Sequence, residues 1–283
     1  MEQKSVIIIT GGASGIGKYL AKNLANQGHR LVVTDIQEDT LQALAQKENW
    51  SDEQVKVVAL DVTSPQSWQS VIDQTLQTWQ RIDILMNVAG ICVPGFIHET
   101  PLELIDQHID INLKGVIYGS KLVAPLMIQQ RQGQIINIAS LAGVAPVKGM
   151  NLYSASKFGV RGFSLSIAHE LKPHGVAVSV VCPDAVDTPM LDKIAGYQEA
   201  ALTFSGGRIL TVEDIGQVIL KKAMRRKKIE VLYPATRGVY AKLGSFFTGL
   251  SGKITNVLIK KGAQKQAQKQ AKIQAKKQAK VDQ

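Results

Sequence analysis

The chain has 283 residues, 45% of them hydrophobic and 20% charged, which is ordinary for a globular protein and leaves room for a sizeable core. Its net charge of +10 is unevenly placed: residues 221–283 hold 17 Lys+Arg against 2 Asp+Glu, so the first 220 residues form a mildly acidic body and the rest a basic tail. The two cysteines, Cys92 and Cys182, lie in no CxxC pair, which excludes metal and redox motifs, and no stretch approaches the roughly 20 apolar residues that span a bilayer.

Aromatics are only 5% and glycines number 24, which favours an α/β protein with tight turns over an aromatic-rich β-sandwich. Both cysteines sit in apolar, strand-like surroundings and are expected as buried free thiols, which suits a reducing compartment. The apolar run at residues 6–9 is too short for a signal-peptide core. A cytoplasmic protein is expected.

In chain order, residues 5–10 read as a strand buried on both faces. Thr10-Gly11-Gly12-Ala13-Ser14-Gly15-Ile16-Gly17 follows, and an amphipathic helix begins at Lys18. Strand, glycine loop and helix is the context of a phosphate-binding turn. Glycines let the backbone approach a pyrophosphate, and the helix N-terminus faces its negative charge. The second strand, residues 31–35, ends in Asp35, about 20 residues past the glycines, where an acid would hold adenosine ribose hydroxyls. That carboxylate would repel a 2′-phosphate, and no basic residue stands at Ser14 or Ile36 to receive one. NAD is therefore expected in preference to NADP. A strand-end Asp capping a turn would look the same.

A third strand at residues 55–60 closes on Asp61-Val62, a helix spans 65–79, and a fourth strand at 82–86 leads into Asn87-Val88-Ala89-Gly90. The alternation of strand and helix implies a doubly wound parallel sheet with helices on both faces. Residues 101–127 read as helix in two pieces, with Asn112 inside. Ser140 stands just past a strand at 134–138, where ligands collect in open α/β sheets. A long helix at 153–171 carries Tyr153 and Lys157 four apart, on one face. A Lys ammonium near a phenol favours the phenolate and makes the Tyr a usable general acid and base. Alone, the pair could equally be a surface Tyr and Lys on an amphipathic helix. The next strand, 176–181, ends at Pro183-Asp184-Ala185-Val186-Asp187-Thr188.

Together these motifs resemble the short-chain dehydrogenase/reductase family, in order and in spacing, over roughly residues 4–235. The resemblance implies a Rossmann-type sheet of seven strands and a set of roles. Tyr153 would exchange a proton with the substrate oxygen, Ser140 would position that oxygen, and Lys157 would lower the Tyr153 pKa and hold the nicotinamide ribose. Asn112 would hold a water linking Lys157 to solvent. Thr10, Gly11, Ser14, Gly15, Ile16 and Gly17 would form the phosphate turn. Asp61 and Val62 would flank the adenine, Asn87, Ala89 and Gly90 would line the adenosine side, and Pro183, Val186 and Thr188 would reach the nicotinamide. The family tends toward dimers and tetramers, so a homo-oligomer is implied.

Two positions depart from the family pattern. Val88 stands where a second asparagine is usual, and Asp184 where a glycine is usual. The Asp184 carboxylate could weaken cofactor binding, point away, or reach the substrate. Residues 189–207 form a long segment of the kind that makes lids. With Val93, Leu141, Val144 and Met150 it would give a mostly apolar pocket, suited to a hydrophobic alcohol or ketone.

The catalytic domain is expected to end at residue 237. Thr211 should cap a helix running to 224, followed by a last strand at 229–233. Residues 238–261 make an amphipathic basic extension, with an apolar stripe of Val239, Leu243, Phe246, Phe247, Leu250, Ile254, Val257 and Leu258. Gly244, Gly249 and Gly252 would split it into two short helices, docked on the body as a pocket cover or dimer contact in preference to lying in a membrane interface. Residues 262–283 are Ala, Gln and Lys, with Lys265, Lys269, Lys272, Lys276 and Lys280 at spacings of three and four. A solvated helix or disordered tail is expected. Its lysines would be drawn to an anionic membrane surface. Nucleic acid is disfavoured because no aromatic interleaves to stack on bases. The expected function is NAD(H)-dependent interconversion of a hydrophobic alcohol and its carbonyl. The rivals are a dinucleotide-sensing protein without turnover and a membrane-recruited scaffold.

Overall fold

A computed structural model describes residues 4–246 and 251–281. Seven parallel strands form one sheet: β1 (Val6–Thr10), β2 (Arg30–Asp35), β3 (Val55–Ala59), β4 (Ile84–Asn87), β5 (Gly133–Ile138), β6 (Val176–Pro183) and β7 (Glu230–Tyr233). Their order is β3-β2-β1-β4-β5-β6-β7. The chain therefore reverses direction across the sheet between β1 and β4. That switch point opens a crevice at the carboxyl ends of the strands.

The expected central strand is β1, in which all five residues are buried. The strand period of two divides it between two cores. Ile7 and Ile9 pack with Leu20, Leu24 and Leu31 on one face, while Ile8 packs with Trp68, Leu85 and Ile135 on the other. The first core is covered by α1 (Gly15–Asn26), α2 (Glu38–Lys47) and α8 (Val212–Val218), the second by α3 (Pro65–Trp79), α5 (Gly115–Gln129) and α6 (Asn151–Leu171). Local signals set several helix ends. The Ser64 hydroxyl caps α3 by accepting the Ser67 N–H at 3.1 Å, with Pro65 in the first turn. Thr211 and Asp214 form a reciprocal capping box at α8 (3.1 and 2.9 Å), at the residue the sequence marks.

The two helical pieces expected at 101–127 are α4 (Leu102–Ile109) and α5, joined by one π-helical turn, Asp110–Lys114, rather than by a break. The lid segment is also more ordered than a long loop. It holds α7 (Pro189–Ile194) and a 3-10 stretch, Gln198–Ser205.

After β7 come α9 (Ala235–Phe246) and α10 (Ser251–Val281). The second is one helix of 31 residues, not a short one. Gly244 lies within α9, and Gly252 within α10. Of the expected apolar stripe, Val239, Leu243 and Val257 are exposed, while Leu258 is half-buried. The Phe247 and Leu250 positions and the side chains of Phe246 and Ile254 lie outside the described residues. What fixes α9 is instead Gly238, where a Cβ would sit 2.3 Å from Leu232, together with an ion pair between Lys242 and Glu230. Nor is the segment from residue 262 merely solvated. Its first turns are packed against the body, with Gly262 and Gln266 buried. No described helix is long and apolar enough to cross a membrane.

Candidate active site

A cleft of about 1340 Å³ runs along the carboxyl ends of the strands. At one end the chain leaves β1 through the glycine turn. Gly11 and Gly15 adopt φ of +69° and +51°, a region that side chains disfavour. A Cβ on Gly17 would sit 2.1 Å from the Gly11 carbonyl oxygen. Ser14 precedes α1 without capping it through its side chain, and no acid occupies the first turn of that helix. The first amides of α1 are thus free of a side-chain cap and suit a diphosphate. Thr10 lies behind the turn, its hydroxyl accepting the Val88 and Ala89 N–H groups at 3.0 and 3.1 Å.

Asp35 ends β2 at the cleft wall, where its carboxylate accepts the N–H of Ala13 (3.0 Å) and of Gln37 (3.1 Å). These bonds fix it beside the glycine turn. Ser14, Ile16, Ile36, Asp61, Val62, Ala89 and Gly90 line the same end. Asp61 takes both the N–H (2.9 Å) and the hydroxyl (2.7 Å) of Thr63, and the Val62 carbonyl accepts the indole N–H of Trp68. Asn87 does not reach the cleft. It is buried under the sheet, donating to Asn137 at 2.8 Å, and Asn137 donates to Ser164 at 2.9 Å. The network ties β4, β5 and α6 together.

At the other end stand Ser140, Tyr153 and Lys157. The Ser140 hydroxyl caps a short 3-10 turn, accepting the Ala142 N–H at 3.1 Å, and shares a hydrogen bond with Tyr153. The Lys157 ammonium lies 5.7 Å from the centre of the Tyr153 ring and donates to the Ile138 carbonyl at 3.0 Å. Asn112 sits in the π-helical turn, fully buried, one layer behind. Its amide bridges both backbone groups of Ile91 (2.8 and 2.9 Å) and donates to Ser156 at 3.1 Å. Gly90 fits between them: a Cβ there would lie 3.0 Å from the Asn112 oxygen and 3.4 Å from the Lys157 nitrogen. The π turn thus places an amide where a regular helix would not.

The electrostatics differ from the expectation of a phenol lowered by its lysine. Burial raises the Tyr153 phenol above its ordinary value, and only the Ser140 hydrogen bond opposes this. Burial also pushes Lys157 down to about 8. Desolvation disfavours charge on both partners and is the largest cause of each shift. Cys182 is buried as expected, but Cys92 is half-buried and forms part of the cleft wall near Lys157.

Asp184, the departure from the family pattern, is paired. Arg237 of α9 forms an ion pair with it, held by charge, since Nε makes no hydrogen bond of good geometry. Burial raises the Asp184 pKa, and Arg237 pulls it back. Both line the cleft with Pro183, Val186 and Thr188. Sequence spacing held no sign of Arg237, which lies more than fifty residues from its partner and beyond the motifs. Thr188 caps α7, accepting the Leu191 N–H at 3.4 Å, and its methyl faces Gly15. Beyond Tyr153 the wall is mostly apolar, with Met150 from the body, Leu191 and Ile194 from the lid helix α7, and Tyr240, Leu243 and Leu258 from α9 and α10.

Residues 5–198 match the family model for short chain dehydrogenases. The 3-oxoacyl-[acyl-carrier-protein] reductase of Thermotoga maritima is 36% identical over 217 residues, covering 76% of this chain and 88% of that protein. A short-chain dehydrogenase/reductase from Burkholderia phymatum, solved in complex with NAD, superposes with a TM-score of 0.79 at 25% identity, over 88% of this chain and 95% of that one. A short-chain dehydrogenase from Sphingobium yanoikuyae, solved with NADPH, gives 0.72 at 29% identity, over 87% and 94%. The glycine turn, the seven-stranded parallel sheet and these likenesses agree, and the chain belongs to the short-chain dehydrogenase family of oxidoreductases.

Proposed function

We propose that the protein interconverts a hydrophobic alcohol and its carbonyl compound, with NAD(H) as the hydride partner. The observation that carries this reading is the grouping of Ser140, Tyr153 and Lys157 at the far end of a cleft that begins at an uncapped glycine turn. Asp35, Asp61 and Val62 would hold the adenosine half of the cofactor. Gly11, Ser14, Gly15, Ile16 and Gly17 would hold the diphosphate, and Lys157, Val186 and Thr188 the nicotinamide half. The bound nicotinamide supplies or accepts the hydride. In reduction Tyr153 gives its hydroxyl proton to the substrate oxygen, and in oxidation it takes that proton back. Ser140 donates to the same oxygen and orients it. Lys157, fixed on the Ile138 carbonyl, offers the positive charge that favours the transient phenolate. Asn112, Thr10 and Asn87 hold the walls from behind.

Asp35 supports NAD over NADP, because a carboxylate held beside the glycine turn would repel a 2′-phosphate and neither Ser14 nor Ile36 brings a positive charge. The apolar wall beyond Tyr153 supports a hydrophobic substrate. The exposed Lys272, Lys276 and Lys277 of α10 support weak attraction to anionic lipid.

The test is cofactor turnover across a panel of hydrophobic alcohols and ketones, with Tyr153→Phe alongside. Turnover with NADH or NAD is expected, falling by about 1000-fold in Tyr153→Phe while NADH still binds. Turnover with NADPH alone would sink the Asp35 argument. Tight NADH binding with no turnover on any substrate would sink the enzymatic reading and leave a dinucleotide-binding protein.

A further inference from the structure

The family match ends at residue 198, yet α10 reaches back over the lid from more than fifty residues beyond it. Its contacts recur on one helical face. At Gly262 the helix backbone lies against the 3-10 stretch of the lid, and a Cβ would fall 1.9 Å from the Ala201 carbonyl oxygen. One turn on, the buried Gln266 amide donates to the carbonyls of Ala195 (3.0 Å) and Tyr197 (2.6 Å). These carbonyls lie at and just past the end of α7, where a helix leaves acceptors without partners in its own turn. Lys265 donates to the carbonyls of Gly206 and Gly207. Ile273 packs onto the cluster of Leu191, Ile194 and Phe204.

Lys269 makes the pivotal contact. Its ammonium, on a side chain only 15% exposed, pairs with Asp187 and lies 2.8 Å from Asp192. Asp192 is on the lid helix α7. Asp187 stands between Val186 and Thr188, in the segment that faces the glycine turn. One cation therefore ties the lid to the cofactor loop. A lysine this shielded would be costly alone, and two carboxylates offset that cost. Both carboxylates are about half exposed, so salt screens part of the attraction, and the buried Gln266 and Gly262 contacts carry the rest of the hold.

We propose that Gln266 and Lys269 are positioning residues for the reaction: α10 is a strap that fixes the lid and the loop of Val186 and Thr188 in the closed arrangement. Neither residue touches substrate or cofactor. The proposal rests on the reading of the cleft as a dinucleotide and substrate site. Its test therefore includes a readout that needs no turnover.

Amide hydrogen exchange of the full chain is compared among wild type, Lys269→Ala, Lys269→Arg and Gln266→Ala. Exchange across residues 187–207 is expected to quicken by about tenfold in Lys269→Ala and Gln266→Ala, with β1, β4 and β5 unchanged. Lys269→Arg is expected to stay near wild type. Should Lys269→Ala fail to fold, Gly262→Ala, which pushes the strap off by steric contact, serves in its place. With NADH and an active substrate, KM is expected to rise while kcat stays within about twofold. Wild-type exchange across 187–207 in both alanine variants overturns the strap. A chain without turnover but with faster exchange keeps the strap and loses the enzymatic reading.

Discussion

Lys157 has to be charged for the chemistry proposed, and its surroundings resist that charge. Burial lowers its pKa from 10.5 to about 8. Below pH 8 the lysine is protonated in both folded and unfolded chains, and the folded state bears the whole desolvation cost. Between about 8 and 10.5 the unfolded chain binds more protons, so the cost is relieved as pH rises, and above that window it is gone. Lys157→Met is therefore expected to be more stable than wild type at pH 7, by about 2 kcal/mol after allowing for the lost bond to the Ile138 carbonyl. Denaturant unfolding without cofactor, repeated at pH 7 and pH 10, checks this. The gain should shrink at the higher pH, while turnover is lost at both. A variant no more stable than wild type at pH 7 would mean that Lys157 is not strained by burial. The residue types at the site were legible because each is tied to a local motif. The direction of the Tyr153 shift was not, because spacing gives proximity but not desolvation, the largest cause of that shift.

At the scale of elements, α9 supplies a counter-charge from outside the motifs. Asp184 lies in the cleft, and Arg237 neutralises it. Arg237→Ala is expected to weaken NADH binding by roughly tenfold, or about 1.4 kcal/mol, because a bare carboxylate would face an anionic cofactor. Asp184→Gly combined with Arg237→Ala should restore the affinity. Fluorescence titration with NADH reads both, and equal weakening in the single and double variants would show that the charge is not the cause. The sequence left three fates open for Asp184, since a pair between β6 and α9 is a tertiary fact without a local signature. The strands were legible for the opposite reason. A run such as Val6-Ile7-Ile8-Ile9 has to be buried on both faces, and only a central parallel strand allows that. The π turn around Asn112 showed only as an interruption in a long helical pattern.

Over the whole molecule, charge is divided between an acidic body and a basic C-terminal part, and α10 divides its lysines again. Lys265 and Lys269 face the lid, whereas Lys260, Lys261, Lys272, Lys276 and Lys277 face solvent. The regular spacing of these lysines was plain in the sequence. Which of them dock was not, because the groups they meet, the Gly206 and Gly207 carbonyls for Lys265 and the acids Asp187 and Asp192 for Lys269, lie 58 to 82 residues away. At about 1 kcal/mol per basic residue near an anionic surface, the solvent-facing set should hold the protein on phosphatidylserine vesicles at low ionic strength. Co-sedimentation is expected to fall in Lys272→Gln/Lys276→Gln/Lys277→Gln and to vanish at high salt, with no loss of lid order. Sedimentation equal to wild type in the triple variant would place the lipid contact elsewhere.

The strap also has a place in time. Lys269 follows Asp187 by 82 residues. At roughly 5–20 residues per second, a ribosome needs several seconds to make that interval. β1 through β6 precede that interval and the lid segment is made early in it, while the ammonium that joins Asp187 to Asp192 comes only at its end. The nascent chain thus has its nucleotide cleft before it has the means to close it. A dinucleotide arriving early would meet a lid not yet strapped, and the middle turns of α10, from Gly262 to Ile273, would then fasten it over a cleft already filled.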